Sequence, residues 1–161
     1  MHSKWRLSHA QGYLGLGLVE EAAAELAALP LPESDSIAAL SLRAFVLQAQ
    51  EQWLLLQAVT ATLTTRQPEE AGWWVMWAYA TRRAQSLEAA EAILREAEMR
   101  HPEEATIQFN LGCYACQRGR LEEARRRVDR AIALDASFRA QADTDEDLAP
   151  LRAGGAASPE T

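Results

Sequence analysis

Apolar positions along this chain recur at spacings of three, four and seven rather than two. Leu87, Ala90 and Ala97, and again Leu121, Ala124 and Ala131, each line one side of a helix and leave the other side charged. The aromatic run from Trp73 to Ala80 continues in the same helical phase, so it predicts a helix and not a strand. The helices are periodic at a higher level too. Pro68 and Pro102 each open a Pro-Glu-Glu and lie 34 residues apart. Proline suits a first helical position and glutamates suit the positive end of the helix dipole, so each motif predicts a helix start. This period divides the chain into windows 3–36, 37–70, 71–104 and 105–138.

Laid in register, the windows align columns of small residues, as close helix packing requires. The eighth position reads Ala10, Ala44, Ala78, Gly112; the twentieth Ala22, Leu56, Ala90, Ala124; the twenty-seventh Leu29, Leu63, Ala97, Ala131. Large apolar residues at the seventeenth position, Val19, Trp53, Leu87 and Leu121, are expected to begin a second helix in each window. Gly17 and Gly119 fall where first helices should end in a left-handed residue. Ser86 stands as an N-cap ahead of Leu87. Acid-to-base pairs four apart, Glu91–Arg95, Glu96–Arg100, Glu122–Arg126 and Glu123–Arg127, predict charged outer faces on the later second helices.

Asn110-Leu111-Gly112, Gly119, Ala124 and Ala131 in the fourth window, Trp74, Ala90, Ala97 and Pro102 in the third, and Tyr13, Gly17 and Ala22 in the first make the chain resemble tetratricopeptide repeats. The resemblance implies an all-α fold, a right-handed superhelix (α-solenoid) of about four helix-turn-helix hairpins with a C-terminal capping helix. It departs from the pattern at His9, Arg43, Leu56 and Ala136. The stretch from Leu134 to Arg152 is similar to a tail that ends some bacterial repeat groups, with Phe138, Leu148 and Leu151 on its buried side. A cap is also required physically, because stacked repeats leave an apolar end. The expected organisation is one repeat domain over 1–152, its cap at 139–152, and a disordered tail over 153–161.

Composition narrows the function. At 161 residues and 48% hydrophobic, the chain can bury a core. A net charge of -7 opposes attraction to nucleic acid or to an anionic membrane. The amino terminus lacks the apolar core of a signal peptide, and no apolar run approaches the roughly 20 residues that span a bilayer. A cytoplasmic location is expected.

Cys113 and Cys116 form a C-x-x-C pair, which elsewhere serves thiol exchange or zinc. Here they fall in the middle of a predicted helix, without the helix N-terminus that lowers a thiol pKa. Only His2, His9 and His101 could join them as soft ligands. They are expected to act as small apolar residues, and no metal or cofactor is expected. Gly12 to Leu18 imitates a dinucleotide loop, but Glu20 stands at the third glycine and no strand precedes it. Asp143 to Asp147 imitates a calcium loop, but Leu148 stands at its glycine and Gly154 at its bidentate glutamate. The six arginines between Arg118 and Arg130 alternate with Glu122, Glu123 and Asp129, as on a salt-bridged helix face.

The resemblance also implies a working surface. First helices line the concave side, and the positions that face ligand become Leu7, Gln11 and Leu14; Ser41, Phe45 and Gln48; Val75, Tyr79 and Arg82, with Arg83 beside them; and Phe109, Cys113 and Cys116. Leu7 and Gln11 stand where relatives that clamp acidic peptide tails carry lysine and asparagine, which disfavours that ligand. The leading expectation is a non-enzymatic adaptor that binds another protein's peptide or helix in this groove, with no nucleic acid or membrane partner. A thiol- or metal-dependent activity at the cysteine pair and a self-associating homo-oligomeric subunit are the alternatives. The chain's own tail or a second copy is a further candidate to fill the groove.

Overall fold

The structure, a computed structural model, describes residues 2–154. Ten α-helices follow in order among them: α1 (His2–Gly15), α2 (Val19–Ala27), α3 (Ile37–Ala49), α4 (Trp53–Arg66), α5 (Ala71–Ala84), α6 (Leu87–Arg100), α7 (Ala105–Gln117), α8 (Leu121–Leu134), α9 (Phe138–Thr144) and α10 (Ala149–Gly154). Short 3₁₀ turns lie at Glu33–Asp35 and Glu146–Leu148, and no strand occurs among the described residues. The fold is all-α, and its elements keep the period. Helices α3, α5 and α7 begin at Ile37, Ala71 and Ala105, and α2, α4, α6 and α8 begin at Val19, Trp53, Leu87 and Leu121.

One type of corner joins the first helix to the second in the first, second and fourth windows, whereas the third turns at Gln85 with φ of -129°. Gly17 and Gly119 have φ of +74° and +75°. Around each, the next N–H reaches back five residues, from Leu18 to the Tyr13 carbonyl at 2.8 Å and from Arg120 to the Ala115 carbonyl at 2.9 Å. Glu51 makes the same corner at φ +55°, with Gln52 N–H on the Leu47 carbonyl at 2.8 Å. A residue with a Cβ therefore occupies a left-handed position that glycine fills in the first and fourth windows.

The two Pro-Glu-Glu motifs do not start helices. They occupy the turns after α4 and α6, and α5 and α7 begin three residues past each proline. Proline ends the preceding helix because its ring displaces the carbonyl four residues earlier and it has no N–H to give. The buried Trp74 indole N–H donates to the Pro68 carbonyl at 3.0 Å, which ties the turn down. A second departure lies in the first window, where α2 stops at Ala27 because Pro30 and Pro32 follow.

The chain divides after Ser86 into two compact units. In the first, Ala10, Ala22, Leu26 and Leu29 join Ala39 and Val46 of α3 in one cluster. Leu40, Ala44, Leu47, Leu56, Leu63 and Ala80 join α3, α4 and α5 in another. Leu56 and Leu63 stand where the last two windows carry alanine, yet both are fully buried, so the larger side chains fill the contact instead of breaking the register. Burying each contributes about 1.5–3 kcal/mol. In the second unit, α7 and α8 cross at Gly112, where an added Cβ would lie 2.9 Å from Val128 Cγ2 and 3.3 Å from the Ala124 carbonyl oxygen.

The second unit closes with α9, a 3₁₀ turn and α10, so its cap is two short helices around a turn and not a single helix. Leu148 is buried to 1% exposure beneath it. Asp145 accepts from the Asp147 N–H at 2.9 Å, and Gln117 donates to the Asp147 carbonyl at 2.8 Å. Arg152 donates to the carbonyls of Ala142 and Asp145. Ala153 and Gly154, placed in the tail by the sequence, complete α10; the rest of that tail, 155–161, lies outside the described residues.

Candidate functional site

In the first unit, α3 and α5 present two exposed aromatic residues, Phe45 at 46% and Tyr79 at 39%. They occupy the same position of consecutive windows, and each rests on a tryptophan. Phe45 packs against Trp73 with ring centroids 5.9 Å apart, and Tyr79 meets Trp53 edge to face at 5.5 Å. Arg83 places its guanidinium 4.9 Å from the Trp53 ring centroid, a cation–π contact. Trp73 is fixed by its indole N–H, which donates to Gln67 Oε1 at 3.1 Å. Rigid rings backed by half-buried rings present area with little side-chain freedom to lose on binding.

Of the other positions expected on this face, Gln11 and Gln48 are exposed, and Ser41, Val75 and Arg82 are half-buried. Leu7 and Leu14 are corrected in part: half-buried, they pack against the core cluster formed by α1, α2 and α3. Trp53, Trp73 and Met76 belong to the face although the repeat positions do not point to them. Trp73 follows from helical phase, since it lies within one turn of Val75 and Met76, whereas Trp53 begins a second helix and carries no such signal.

The fourth window's positions are corrected more strongly. Phe109, Cys113 and Cys116 are 1%, 3% and 2% exposed. Phe109 stacks on Phe138 of the cap at 4.9 Å. Burial pushes the Cys116 thiol up; the nearby Asp147 carboxylate adds to this, against a backbone hydrogen bond from Leu151 and the charge of Arg152. A thiol raised in this way is a poor nucleophile. Cys113 Sγ and carboxylate oxygens of Asp145 and Asp147 lie within 4.8 Å of one another. They present three donors, one of them deeply buried, where zinc ordinarily takes four ligands, and Asp145 already caps the 3₁₀ turn.

The charged outer face of the second unit is organised around Glu91. This carboxylate is 7% exposed and meets Arg95 at 2.7 Å, Arg118 at 2.9 Å and Arg120 at 2.6 Å. Burial opposes its charge, but the hydrogen bonds and charges of Arg120 and Arg95 together outweigh it and hold the carboxyl below the ordinary range. Arg127 bridges Glu98 at 2.8 Å and Glu123 at 2.9 Å. Of the predicted pairs four apart, Glu91–Arg95, Glu96–Arg100 and Glu123–Arg127 form, and Glu122–Arg126 does not. Arg118, Arg120 and Arg127 are thus engaged by acids of α6, while Arg125 and Arg126 stay exposed on α8.

No family model matches the chain, and no curated protein matches it in sequence. Solved structures do match. TTC0263, a thermophilic TPR protein in Thermus thermophilus, aligns over 96% of this chain and 83% of its own at 18% identity, with a TM-score of 0.71. MamA 41-end from Desulfovibrio magneticus RS-1 aligns over 95% and 92% at 16% identity and a TM-score of 0.72, and a double mutant of MamA RS-1 over 98% of both chains at 15% and 0.71. With the period, the shared corner and the small-residue contacts already in place, these likenesses show that the chain has the fold of tetratricopeptide-repeat proteins.

Proposed function

We propose that the chain is a non-enzymatic protein-interaction adaptor that receives a peptide or helix of another protein along α3 and α5. The observation that carries this reading is the pair Phe45 and Tyr79, exposed at one position of consecutive windows and each backed by a tryptophan. Aromatic anchors of this kind dominate binding energy at protein interfaces. The likeness to repeat proteins supports it, as does a surface on which the reactive-looking groups are absorbed into structure: the thiols under the cap and Glu91 within its arginines. The buried free thiols fit a reducing cytoplasm. No helix among the described residues is long and apolar enough to cross a membrane.

Affinity purification from the native cell, followed by hydrogen exchange on the isolated complex, tests the proposal. Protection is expected on α3 and α5. A partner that protects only α6 and α8 would place the working surface elsewhere.

A further inference from the structure

The two aromatic pairs of the first unit differ in charge. The Trp53–Tyr79 pair has a cation of the chain's own, Arg83, 4.9 Å from the Trp53 centroid. The Phe45–Trp73 pair has none among the described residues. Beside it opens a pocket of about 310 Å³ lined by Phe45, Gln67, Glu70, Gly72, Trp73 and Met76. That volume is at the bottom of the range for small-molecule clefts, so it suits one side chain more than a whole ligand. Nothing lies within 4 Å of a Cβ placed on Gly72, so the floor at that residue is open.

The charged and aromatic side chains of the pocket have one sign. Two ring faces offer negative π density, and Glu70 brings a carboxylate, with Glu69 next to it in sequence and also exposed. The basic residues nearest to it in sequence are directed elsewhere. Arg66 is held by Asp35, through its carboxylate at 2.7 Å and its carbonyl at 2.6 Å. Arg43 is two residues from Phe45 on α3 and so lies on a different face of the helix. The chain as a whole carries a net charge of -7, which draws basic partners.

We infer that this pocket takes an arginine side chain from a partner protein's peptide segment, with the guanidinium against Trp73 and Phe45 and its charge met by Glu70. A planar guanidinium can stack on a ring while it donates to a carboxylate, which an ammonium does less well. Arg83 on Trp53 is the same contact made within the molecule. The inference rests on the proposed binding along α3 and α5 and adds the chemical character of one anchor in the ligand.

The test uses the full chain and three capped heptapeptides that differ only at the central residue: arginine, norleucine or glutamate. Binding is followed by the Trp73 indole N–H signal, assigned with Trp73→Phe. The arginine peptide is expected to move that signal and to bind about five- to thirtyfold tighter than the glutamate peptide. Glu70→Gln should weaken the arginine peptide several-fold. Gly72→Leu should abolish its effect on the indole while the melting temperature holds. Equal affinity for arginine and norleucine, a preference for glutamate, or an unmoved indole overturns the inference. These outcomes separate from those of the parent proposal: if a co-purified partner is lost when Phe45 and Tyr79 are replaced but the arginine peptide leaves Trp73 unmoved, only the cation pocket fails. If that partner binds the double variant normally, binding along α3 and α5 fails as well.

Discussion

Phe109 stacks on Phe138 with ring centroids 4.9 Å apart and planes 34° from parallel. A first-helix position that the repeat resemblance assigns to ligand is thus filled by the chain's own C-terminal segment. The same segment buries Leu148 and lies over both thiols, since Asp145 and Asp147 approach Cys113 and the Leu151 backbone reaches Cys116. Leu148→Ala should cost about 2–4 kcal/mol, the usual result of emptying a buried leucine site. It should also speed the reaction of the thiols with a small aromatic disulfide under native conditions. If the unmodified chain reacts as fast as denatured protein, the cap does not cover α7 in solution.

Gly112 marks the crossing of α7 and α8, and its hydrogen faces Val128 Cγ2 where a Cβ would stand 2.9 Å away. Gly112→Leu should overpack the contact and cost about 1–3 kcal/mol in urea unfolding. Gly12 lies within α1, and nothing approaches its missing Cβ. Gly12→Ala should therefore stabilise by about 0.5–1 kcal/mol, because only the helix preference changes. Opposite signs for these two substitutions are the expected result, and equal losses would contradict the close crossing.

The charged network gives the chain a defined acid response. Glu91, Glu98 and Glu123 are each held below their ordinary value of 4.5. In all three, burial works against the charge and the neighbouring arginines outweigh it. The folded state therefore binds protons less readily than the unfolded state. Its advantage is present above about pH 4.5 and is lost as the pH falls through the lower folded-state values. Glu91→Gln should remove about 1–2 kcal/mol at pH 7, a moderate figure because Arg95, Arg118 and Arg120 are 43%, 38% and 36% exposed and can return to water. It should also flatten the dependence of stability on pH below 4.5, measured by urea unfolding across an acid series. An unchanged acid slope would mean that other carboxylates carry the effect.

The parts of this fold that repeat are legible in the sequence, because a period adds weak local signals in register. Gly17 and Gly119 predict left-handed corners and make them. Val19, Trp53, Leu87 and Leu121 are the first residues of their helices. Glu51 is not legible: nothing in its residue type signals a left-handed corner, and only the two glycines at the equivalent positions point to it. The prolines mislead because a proline fits both the first turn of a helix and the turn that ends the one before, and the choice is set by tertiary contacts such as Trp74 on Pro68. Burial of Phe109 and the cysteines depends on a segment some thirty residues away, and Glu91 depends on Arg118 and Arg120, 27 and 29 residues on. Such partners lie beyond any local pattern. Resemblance can propose a surface, but only the three-dimensional packing shows which part of it the chain has already covered.

The binding face is tested by separating its effect from that of the fold. Phe45 and Tyr79 are exposed, and neither belongs to the columns of small residues that hold the hairpins together. Each does touch a tryptophan, so replacing both with aspartate removes two ring contacts at about 0.5–1.5 kcal/mol apiece. The double variant should still melt cooperatively, a few degrees lower, and remain helical by circular dichroism. Its affinity for a co-purified partner should fall by about a hundredfold or more, as the loss of two aromatic anchors of roughly 2 kcal/mol each implies. Arg126 is exposed on α8 and makes no ion pair among the described residues, so Arg126→Glu should leave that affinity within about twofold. Titration calorimetry with each variant, beside its melting curve, gives both quantities. A double variant that binds normally, or an Arg126→Glu variant that loses as much, would move the working surface away from α3 and α5.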